Sequence, residues 1–508
     1  MNLLSSASVF SFYTLISRLL GYLRDILIAV TLGASIYADA FFIAFRLPNT
    51  FRRLFAEGTF NAAFIPSYTA EKIKGNKEGK AFADEVITLL TIILLLIVLI
   101  VEIFTPYLVY LIAPGFFDSD EKFNLAVELT RVTFPFLLFI SLSSFFSGIL
   151  NSNNKFAAAA AAPIVLNVVL IFSLLTSYFF NFNYVLNLSY AVTFSGILQL
   201  IFLVFVTKKY YRPSIIFKFK ISKKVNFFFK KLLPSIFSSG ITQINILVGT
   251  IIASFESSAV SYLYYADRVY QINLAIAGIA IGTVSLPVLT KALKKKNFLS
   301  VIKIQNKSIE LSLLLSIPAS LGLILGSHQI VNALFGYGSF SEENIFMTAQ
   351  ALKYFGYGIP AFALIKVLSN FFFARDNTQT PFFISCLVVL LNIMISVTLF
   401  KEVGFIIIPI ATSISTWFGV FTYFILLKKY KSLIIKAYLI KNVLKIIIST
   451  IFMSVILFYG LDYFSDSLVY NNKIKAIYLV FIISFVATIY LISCYLLGVL
   501  KIKNFKIN

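Results

Sequence analysis

Residues 37–57 read YADAFFIAFRLPNTFRRLFAE, a segment that is apolar enough to cross a membrane as a helix but carries five charged side chains. These are Asp39, Arg46, Arg52, Arg53 and Glu57. A charge at the centre of a membrane-spanning helix costs about 2.5–3.5 kcal/mol on insertion scales. We therefore expect these side chains to face water, one another or a ligand, so that the segment bears on function as well as on fold.

The whole sequence has the composition of a membrane protein. Of its 508 residues, 59% are hydrophobic and 13% are charged, whereas soluble proteins carry about 25% charged residues. Apolar runs long enough to cross a bilayer as helices recur along the chain, so we predict an all-α polytopic membrane protein with about 14 transmembrane helices. The net charge of +22 comes mainly from lysines that cluster between the apolar runs. This pattern favours membrane topology over a nucleic-acid partner.

The lysines also predict how the chain is oriented. They concentrate in alternate connections between the predicted spans, which places both termini in the cytoplasm by the positive-inside rule. Four lysines in connections assigned to the outside break this alternation: Lys122, Lys401, Lys473 and Lys475. The amphipathic segment 213–232 is predicted to lie on the cytoplasmic membrane surface.

Two segments of the chain echo each other, which indicates an internal repeat. Residues 37–69 contain YAD, GT and IPSYT, and residues 265–290 contain YAD, GT and LPVLT. An even number of predicted spans separates the copies, so they are expected to be parallel repeats that form two six-helix lobes. Such lobes commonly alternate the access of a central cavity between the two membrane faces, as in secondary transporters. The predicted divisions are an N-lobe (1–207), a cytoplasmic amphipathic linker (208–232), a C-lobe (233–430), and two C-terminal helices with a tail (431–508).

Helical phase places some of the charges of the second predicted span on one stripe. Asp39, Arg46 and Arg53 are each seven residues apart and fall on nearly one line along a helix. Asn49 lies on the same face, whereas Arg52 points away from it. The sequence therefore predicts a polar face that runs along this span.

Arginines outnumber carboxylates in the first two predicted spans by five to three. Intramembrane ion pairing alone, of Asp39 with one arginine and Glu57 with another, is the simpler interpretation, but it leaves this surplus unexplained. A surplus of guanidinium groups suits an anionic substrate, and the planar guanidinium matches phosphate oxygens in particular.

Sequence signals for catalysis are missing. We find no Walker A pattern, no paired His and Cys ligands for a metal, and no nucleophile elbow. The sequence therefore predicts a secondary-type transporter rather than an enzyme, with no cofactor and no metal. We expect an ion gradient or the membrane potential to drive it.

Several motifs are similar to those of a known family. They are SRLLGYLRD (17–25), ADAFFIAFRLPN (38–49), RRLFAEGTFNAAFIP (52–66) and YYADR (264–268). These stretches closely resemble the MurJ (MviN) family, bacterial lipid II flippases of the multidrug/oligosaccharidyl-lipid/polysaccharide exporter superfamily. The resemblance implies alternating-access transport of an undecaprenyl-pyrophosphate-linked peptidoglycan precursor from the inner to the outer leaflet of the bacterial inner membrane.

The resemblance also implies particular site residues. The arginines expected to meet the pyrophosphate are Arg18, Arg24, Arg52 and Arg268. Further positions that match the family are Asp25, Asp39, Glu57 and Ser261. The polar face of the second span adds Arg46, Asn49 and Arg53 to the candidate substrate-binding residues.

The remaining expectations concern partners and alternatives. We expect the protein to act as a monomer, with lipid II and membrane lipids as its partners. The resemblance also bears on the coupling ion, because some relatives have an acidic residue on the seventh span at a proposed sodium site. No acidic residue lies between Lys231 and Phe255 in this sequence, so sodium coupling is not expected. Two other functions stay open at this point, a flippase for another polyprenyl-linked glycan and an exporter of the MATE type.

Overall fold

The structure is a computed structural model that describes residues 3–56, 59–214, 221–275, 278, 280–430 and 432–500. These residues form helices and contain no β-strand. The chain divides into two compact units, one ending at Ser261 and the other beginning at Tyr262. The prediction of an all-α membrane protein is confirmed, while the predicted lobe and linker boundaries describe membrane topology and stay a prediction.

The first unit contains nine α-helices within the described residues and the start of a tenth. They are α1 (Leu3–Leu32), α2 (Ile36–Ala56), α3 (Thr59–Lys74), α4 (Asn76–Ile112), α5 (Asp120–Thr133), α6 (Phe136–Ser152), α7 (Phe156–Phe180), α8 (Tyr184–Thr207), α9 (Lys223–Ala253) and the first residues of α10 (Ala259–Leu274).

The second unit contains the rest of α10 and seven further helices within the described residues. They are α11 (Ala280–Lys294), α12 (Phe298–Phe335), α13 (Glu342–Phe373), α14 (Gln379–Val403), α15 (Ile407–Lys429), α16 (Ala437–Tyr463) and α17 (Lys475–Leu496).

Local sequence explains where several of these helices begin and bend. The side chains of Ser119, Ser222 and Ser341 accept hydrogen bonds from backbone N–H groups in the first turns of α5, α9 and α13, as N-cap residues do. In α4, the backbone leaves helical geometry at Phe104, two residues before Pro106. A proline inside a helix removes a backbone hydrogen bond and clashes with the preceding turn, which accounts for this kink.

Nine segments among the described residues are long and apolar enough to cross a membrane. They coincide with α4, α5 joined to α6, α7, α8, α12, α13, α14 joined to α15, α16 and α17. Helix α2 is not one of them, since its 21 residues include Asp39, Arg46, Arg52 and Arg53. The protein is therefore a multi-pass membrane protein, and the number of fourteen spans stays a prediction.

The segment between α8 and α9 is fixed to the first unit at both of its ends. The Tyr211 hydroxyl donates a hydrogen bond to Asp84 of α4 over 2.6 Å, and the backbone N–H of Ser222 donates one to Glu85 over 2.5 Å. Phe228, in the second turn of α9, packs against Phe82 with ring centroids 6.1 Å apart. Residues 223–232 of the predicted linker thus begin α9. Residues 215–220 lie outside the described residues, and the predicted position on the membrane surface stays a prediction.

In the second unit, Lys475 joins α17 to the end of α12. Its side chain is fully buried, and Nζ donates hydrogen bonds to Asn332 Oδ1 and to the backbone carbonyls of Gly336 and Tyr470, over 2.6–2.8 Å. Lys475 is one of the four lysines that break the charge alternation. Its burial explains this exception, because a lysine held by backbone carbonyls has a packing role.

Candidate substrate-binding residues

Arg24 of α1 is held from two sides inside the first unit. Its Nε and Nη2 donate hydrogen bonds to Oδ1 of Asp25, over 3.0 and 2.6 Å. Its Nη1 donates to Oδ1 of Asn167 in α7, over 2.9 Å. Arg24 and Asp25 are both buried, with relative exposures of 6% and 3%. The structure therefore joins two residues that the sequence predicted as site residues and adds a third, Asn167.

Asn167 was missed by the sequence analysis. Its Nδ2 donates a hydrogen bond to the backbone carbonyl of Ser17 over 2.9 Å, so that it connects α7 to α1. The sequence signal that could have identified Asn167 is a single polar amide within an otherwise apolar helix. Asn167 is the only side-chain amide between Phe156 and Phe180, and polar side chains in such apolar helices commonly form interhelical hydrogen bonds.

Arg18 lies six residues before Arg24 on α1, and it is exposed. Arg18 and Asp25 are seven residues apart and therefore fall on nearly one line along the helix, where they could pair. In the structure, Asp25 makes its ion pair with Arg24 instead. The two arginines of α1 therefore differ, since Arg24 is fixed by its neighbours and Arg18 is open to solvent or lipid.

Asp39 of α2 is fully buried and has three hydrogen bonds within the first unit. It accepts one from Lys122 Nζ of α5 over 2.7 Å, and two from Ser261, from the backbone N–H over 2.9 Å and from Oγ over 2.5 Å. Lys122 is buried as well and lies 4.0 Å from the centroid of the Phe116 ring. Two predicted site residues, Asp39 and Ser261, are thus in direct contact, and Asp39 also pairs with Lys122, which the sequence had shown only as a topological exception.

The other residues of α2 show why its charges do not form one open face. Arg46 and Asn49 are partly buried, and the backbone carbonyl of Ala44 accepts a hydrogen bond from Thr133 of α5 over 2.9 Å. Because Lys122 of α5 bonds to Asp39, the face of α2 that carries Asp39 is also covered by α5. The side chains of Arg52 and Arg53, and the whole of Glu57, lie outside what the structure describes, so their predicted roles stay predictions.

Arg268 of α10 belongs to the second unit. Its Nη2 donates a hydrogen bond to the Tyr264 hydroxyl over 2.8 Å, and its guanidinium carbon lies 4.7 Å from the centroid of the Tyr264 ring. The adjacent Asp267 accepts a hydrogen bond from Gln271, one turn further along the helix. A tyrosine thus orients Arg268 by a hydrogen bond and a cation–π contact, which is common for arginine.

Two of the predicted site residues, Arg24 and Arg268, have guanidiniums that neighbouring side chains orient. Within the described ranges, no group of three or more His, Cys, Asp or Glu side chains could hold a metal ion. The oriented groups are guanidiniums, whose N–H donors match carboxylate and phosphate oxygens. The predicted role of Arg24 and Arg268 in binding an anionic substrate stays a prediction.

Comparisons with known proteins place this chain in a family. The sequence model described as "Lipid II flippase MurJ" matches residues 28–501. The chain is 36% identical over 461 residues to the "Probable lipid II flippase MurJ" of Rickettsia prowazekii (strain Madrid E), with 90% of each chain covered. It is 37% identical over 452 residues to the protein of the same name from Rhizobium tropici, with 88% of this chain and 85% of the relative covered.

Solved structures agree with these sequence relationships. A "Lipid II flippase MurJ, inward closed conformation" matches with a TM-score of 0.80 and 28% identity, over 95% of this chain and 97% of that one. A multidrug resistance MATE family transporter of the MOP superfamily matches with a TM-score of 0.68 and 14% identity, over 84% and 99%. The second likeness shows the shared fold alone. The chain belongs to the MurJ lipid II flippase family, a family of transporters rather than enzymes.

Proposed function

We propose that this protein transports lipid II, the undecaprenyl-pyrophosphate-linked peptidoglycan precursor, from the inner to the outer leaflet of the bacterial inner membrane by alternating access. The observation that carries the proposal is the similarity to proteins named lipid II flippase over 90% of this chain and 90% of the first relative. Lipid II is the partner that this function requires, and the membrane supplies the surrounding lipids.

The oriented arginines support an anionic substrate. Arg24 in the first unit and Arg268 in the second each have a fixed guanidinium, which can bind phosphate oxygens through two parallel N–H groups. Arg18 and Arg52 add positive charge in the proposal. Because the pyrophosphate is negatively charged, each of these arginines would attract it.

The same proposal covers the driving force and the orientation. We infer that both termini lie in the cytoplasm and that the protein acts as a monomer, without a cofactor. The membrane potential supplies about 2.3 kcal/mol per elementary charge per 100 mV, so it could drive a charged substrate or a coupled ion. Residues Gly240 to Ala253 of α9 contain no carboxylate that could bind sodium. We therefore infer that transport is not coupled to a sodium ion bound at this helix.

Two alternatives differ from this proposal in substrate. The fold likeness to a MATE transporter is compatible with an exporter of cationic drugs, but an exporter of cations needs surplus carboxylate where this chain has surplus arginine. A flippase for another polyprenyl-linked glycan shares the pyrophosphate and differs in the sugar. Only a functional assay separates this second alternative from lipid II transport.

The test is complementation of a bacterium whose own lipid II flippase can be depleted. We expect the wild-type chain to restore growth and cell shape, and Arg24→Ala and Arg268→Ala each to abolish the rescue at unchanged membrane levels. Asn187→Ala serves as the matched control, because Asn187 bonds to Ser173 and Ser177 and contacts neither arginine. A wild-type chain that reaches the membrane and fails to rescue would refute the proposal.

A further inference from the structure

We propose that Asn167 is a positioning residue, which fixes the Arg24 guanidinium so that one N–H on each terminal nitrogen is presented to a phosphate group. The proposal rests on the proposed function, since it assigns a role in pyrophosphate binding to a residue outside the predicted site. Asn167 carries it because it is the one described side chain other than Asp25 that bonds to Arg24.

The partners of the Asn167 amide allow it one orientation. Arginine offers N–H donors only, and a backbone carbonyl is an acceptor only. The Asn167 group that faces Arg24 must therefore be the carbonyl oxygen, and the group that faces the Ser17 carbonyl must be the NH2. The two partners fix the amide in one orientation, so that Asn167 is itself held in place by α1.

Arg24 has more N–H donors than its described partners use. A guanidinium has five N–H groups, and three of them donate to Asp25 and Asn167. Two N–H groups, one on Nη1 and one on Nη2, have no acceptor among the residues that the structure describes. A pair of N–H groups on the two terminal nitrogens is the arrangement that binds two phosphate oxygens at once.

Asp25 and Asn167 constrain different sides of the Arg24 guanidinium. Asp25 is next to Arg24 in sequence and holds the Nε edge of the guanidinium. Asn167 lies on a different helix and holds the opposite nitrogen, Nη1. Without Asn167, the guanidinium would have a fixed edge on one side only, and the two unused N–H groups would lose their fixed direction.

The test measures the binding of undecaprenyl pyrophosphate to the purified full-length chain in lipid nanodiscs. We expect Asn167→Ala to weaken the binding by about tenfold or more, the effect of one lost hydrogen bond to a charged group. Asn167→Leu, which fills nearly the same volume, should weaken it to a similar extent if the alanine variant is too unstable to purify. Asn187→Ala loses comparable bonds to the same helix α7 and should stay within about twofold of the wild type.

The double variant separates positioning from general stability. If Asn167 acts through Arg24, then Asn167→Ala in an Arg24→Ala background should change the affinity by less than about twofold. An equal loss in both backgrounds, or a loss as large for Asn187→Ala, would overturn the proposal, as would unchanged binding in both Asn167 variants. If Arg24→Ala itself leaves the affinity unchanged, the failure lies in the proposed role of Arg24 in pyrophosphate binding.

Discussion

The two copies of the YAD motif lie at matching places in the repeat but bury opposite faces. In α2, Tyr37 is 48% exposed and Asp39 is fully buried. In α10, Tyr265 is fully buried and Asp267 is partly exposed. Residues two apart on a helix point in nearly opposite directions. Helix α2 therefore turns the aspartate side of the motif toward the interior of its unit, whereas α10 turns the tyrosine side toward the interior of its own unit.

The neighbours of each motif explain the difference. Helix α5 covers the Asp39 side of α2 and supplies Lys122, which neutralises the buried carboxylate. In the second unit, Phe335 and Phe340 cover the Tyr265 side of α10, with ring centroids 5.2 and 5.3 Å from that of Tyr265. A sequence repeat thus conserves the place of a motif along the chain, whereas the packing of each unit decides which of its residues is buried.

The largest expected effect is at the buried aspartate. Asp39→Ala should lower the free energy of unfolding by about 3–5 kcal/mol, because it leaves the Lys122 ammonium buried without its counter-charge. Asp267→Ala should cost less than about 1 kcal/mol, since Asp267 is partly exposed and solvent screens its charge. Denaturant unfolding of the purified variants in detergent measures both.

A double variant decides whether Lys122 is the cause. Asp39→Ala with Lys122→Met removes both charges, and we expect it to recover part of the stability that Asp39→Ala loses. A double variant that is as unstable as the sum of the single variants would show that the two side chains do not act as a pair.

For the tyrosines of the two motifs, the larger loss of stability is expected in α10 and the smaller one in α2. Tyr265→Ala removes a fully buried ring that packs against Phe335 and Phe340, and it should cost about 3 kcal/mol. Tyr37→Ala removes a half-exposed ring and should cost less than about 1 kcal/mol. The midpoints of thermal unfolding compare the two, and equal shifts would contradict the opposite burial of the two motifs.

A smaller effect is expected next to the second motif, where Tyr264 orients Arg268. Tyr264→Phe keeps the aromatic ring and removes the hydrogen bond to Arg268, which should weaken undecaprenyl pyrophosphate binding by roughly fivefold. Tyr264→Leu also removes the cation–π contact and should weaken it further. Binding to nanodisc-embedded protein measures both, and a Leu variant that binds better than the Phe variant would argue against orientation by the ring.

The helical class of the protein followed from local properties of the sequence. Apolar length and lysine-rich connections depend on residues near one another in the chain, and they predicted a polytopic helical protein that the structure bears out. The partners of the charged residues depend on contacts between distant helices, such as Asp39 with Lys122 or Arg24 with Asn167. Helical phase predicted the stripe that contains Asp39, but only the packing of α5 shows that this end of the stripe is closed.

The smallest expected effect is at Glu71, a buried carboxylate whose two lysine partners are more than half exposed. Lys224 and Lys74 each donate a hydrogen bond to its carboxylate over 2.5 Å, and their side chains are 51% and 57% exposed. The hydrogen bond from Lys224 is the main cause that lowers the pKa of Glu71 below its usual value of 4.5, followed by that from Lys74. Because solvent screens such pairs, their contribution to stability should stay below about 1 kcal/mol.

The pH dependence distinguishes Glu71 from its lysine partners. A carboxylate whose pKa is lowered by folding stabilises the folded state above its unfolded pKa, and this contribution is lost as the pH falls through the folded value. Glu71→Gln should therefore be less stable than the wild type at neutral pH, and the difference should shrink below pH 4.5. Lys224→Met removes the main cause and should reduce the same difference. A gap between wild type and Glu71→Gln that is independent of pH would show that packing of the side chain, and not its charge, matters at this position, in contrast to Asp39.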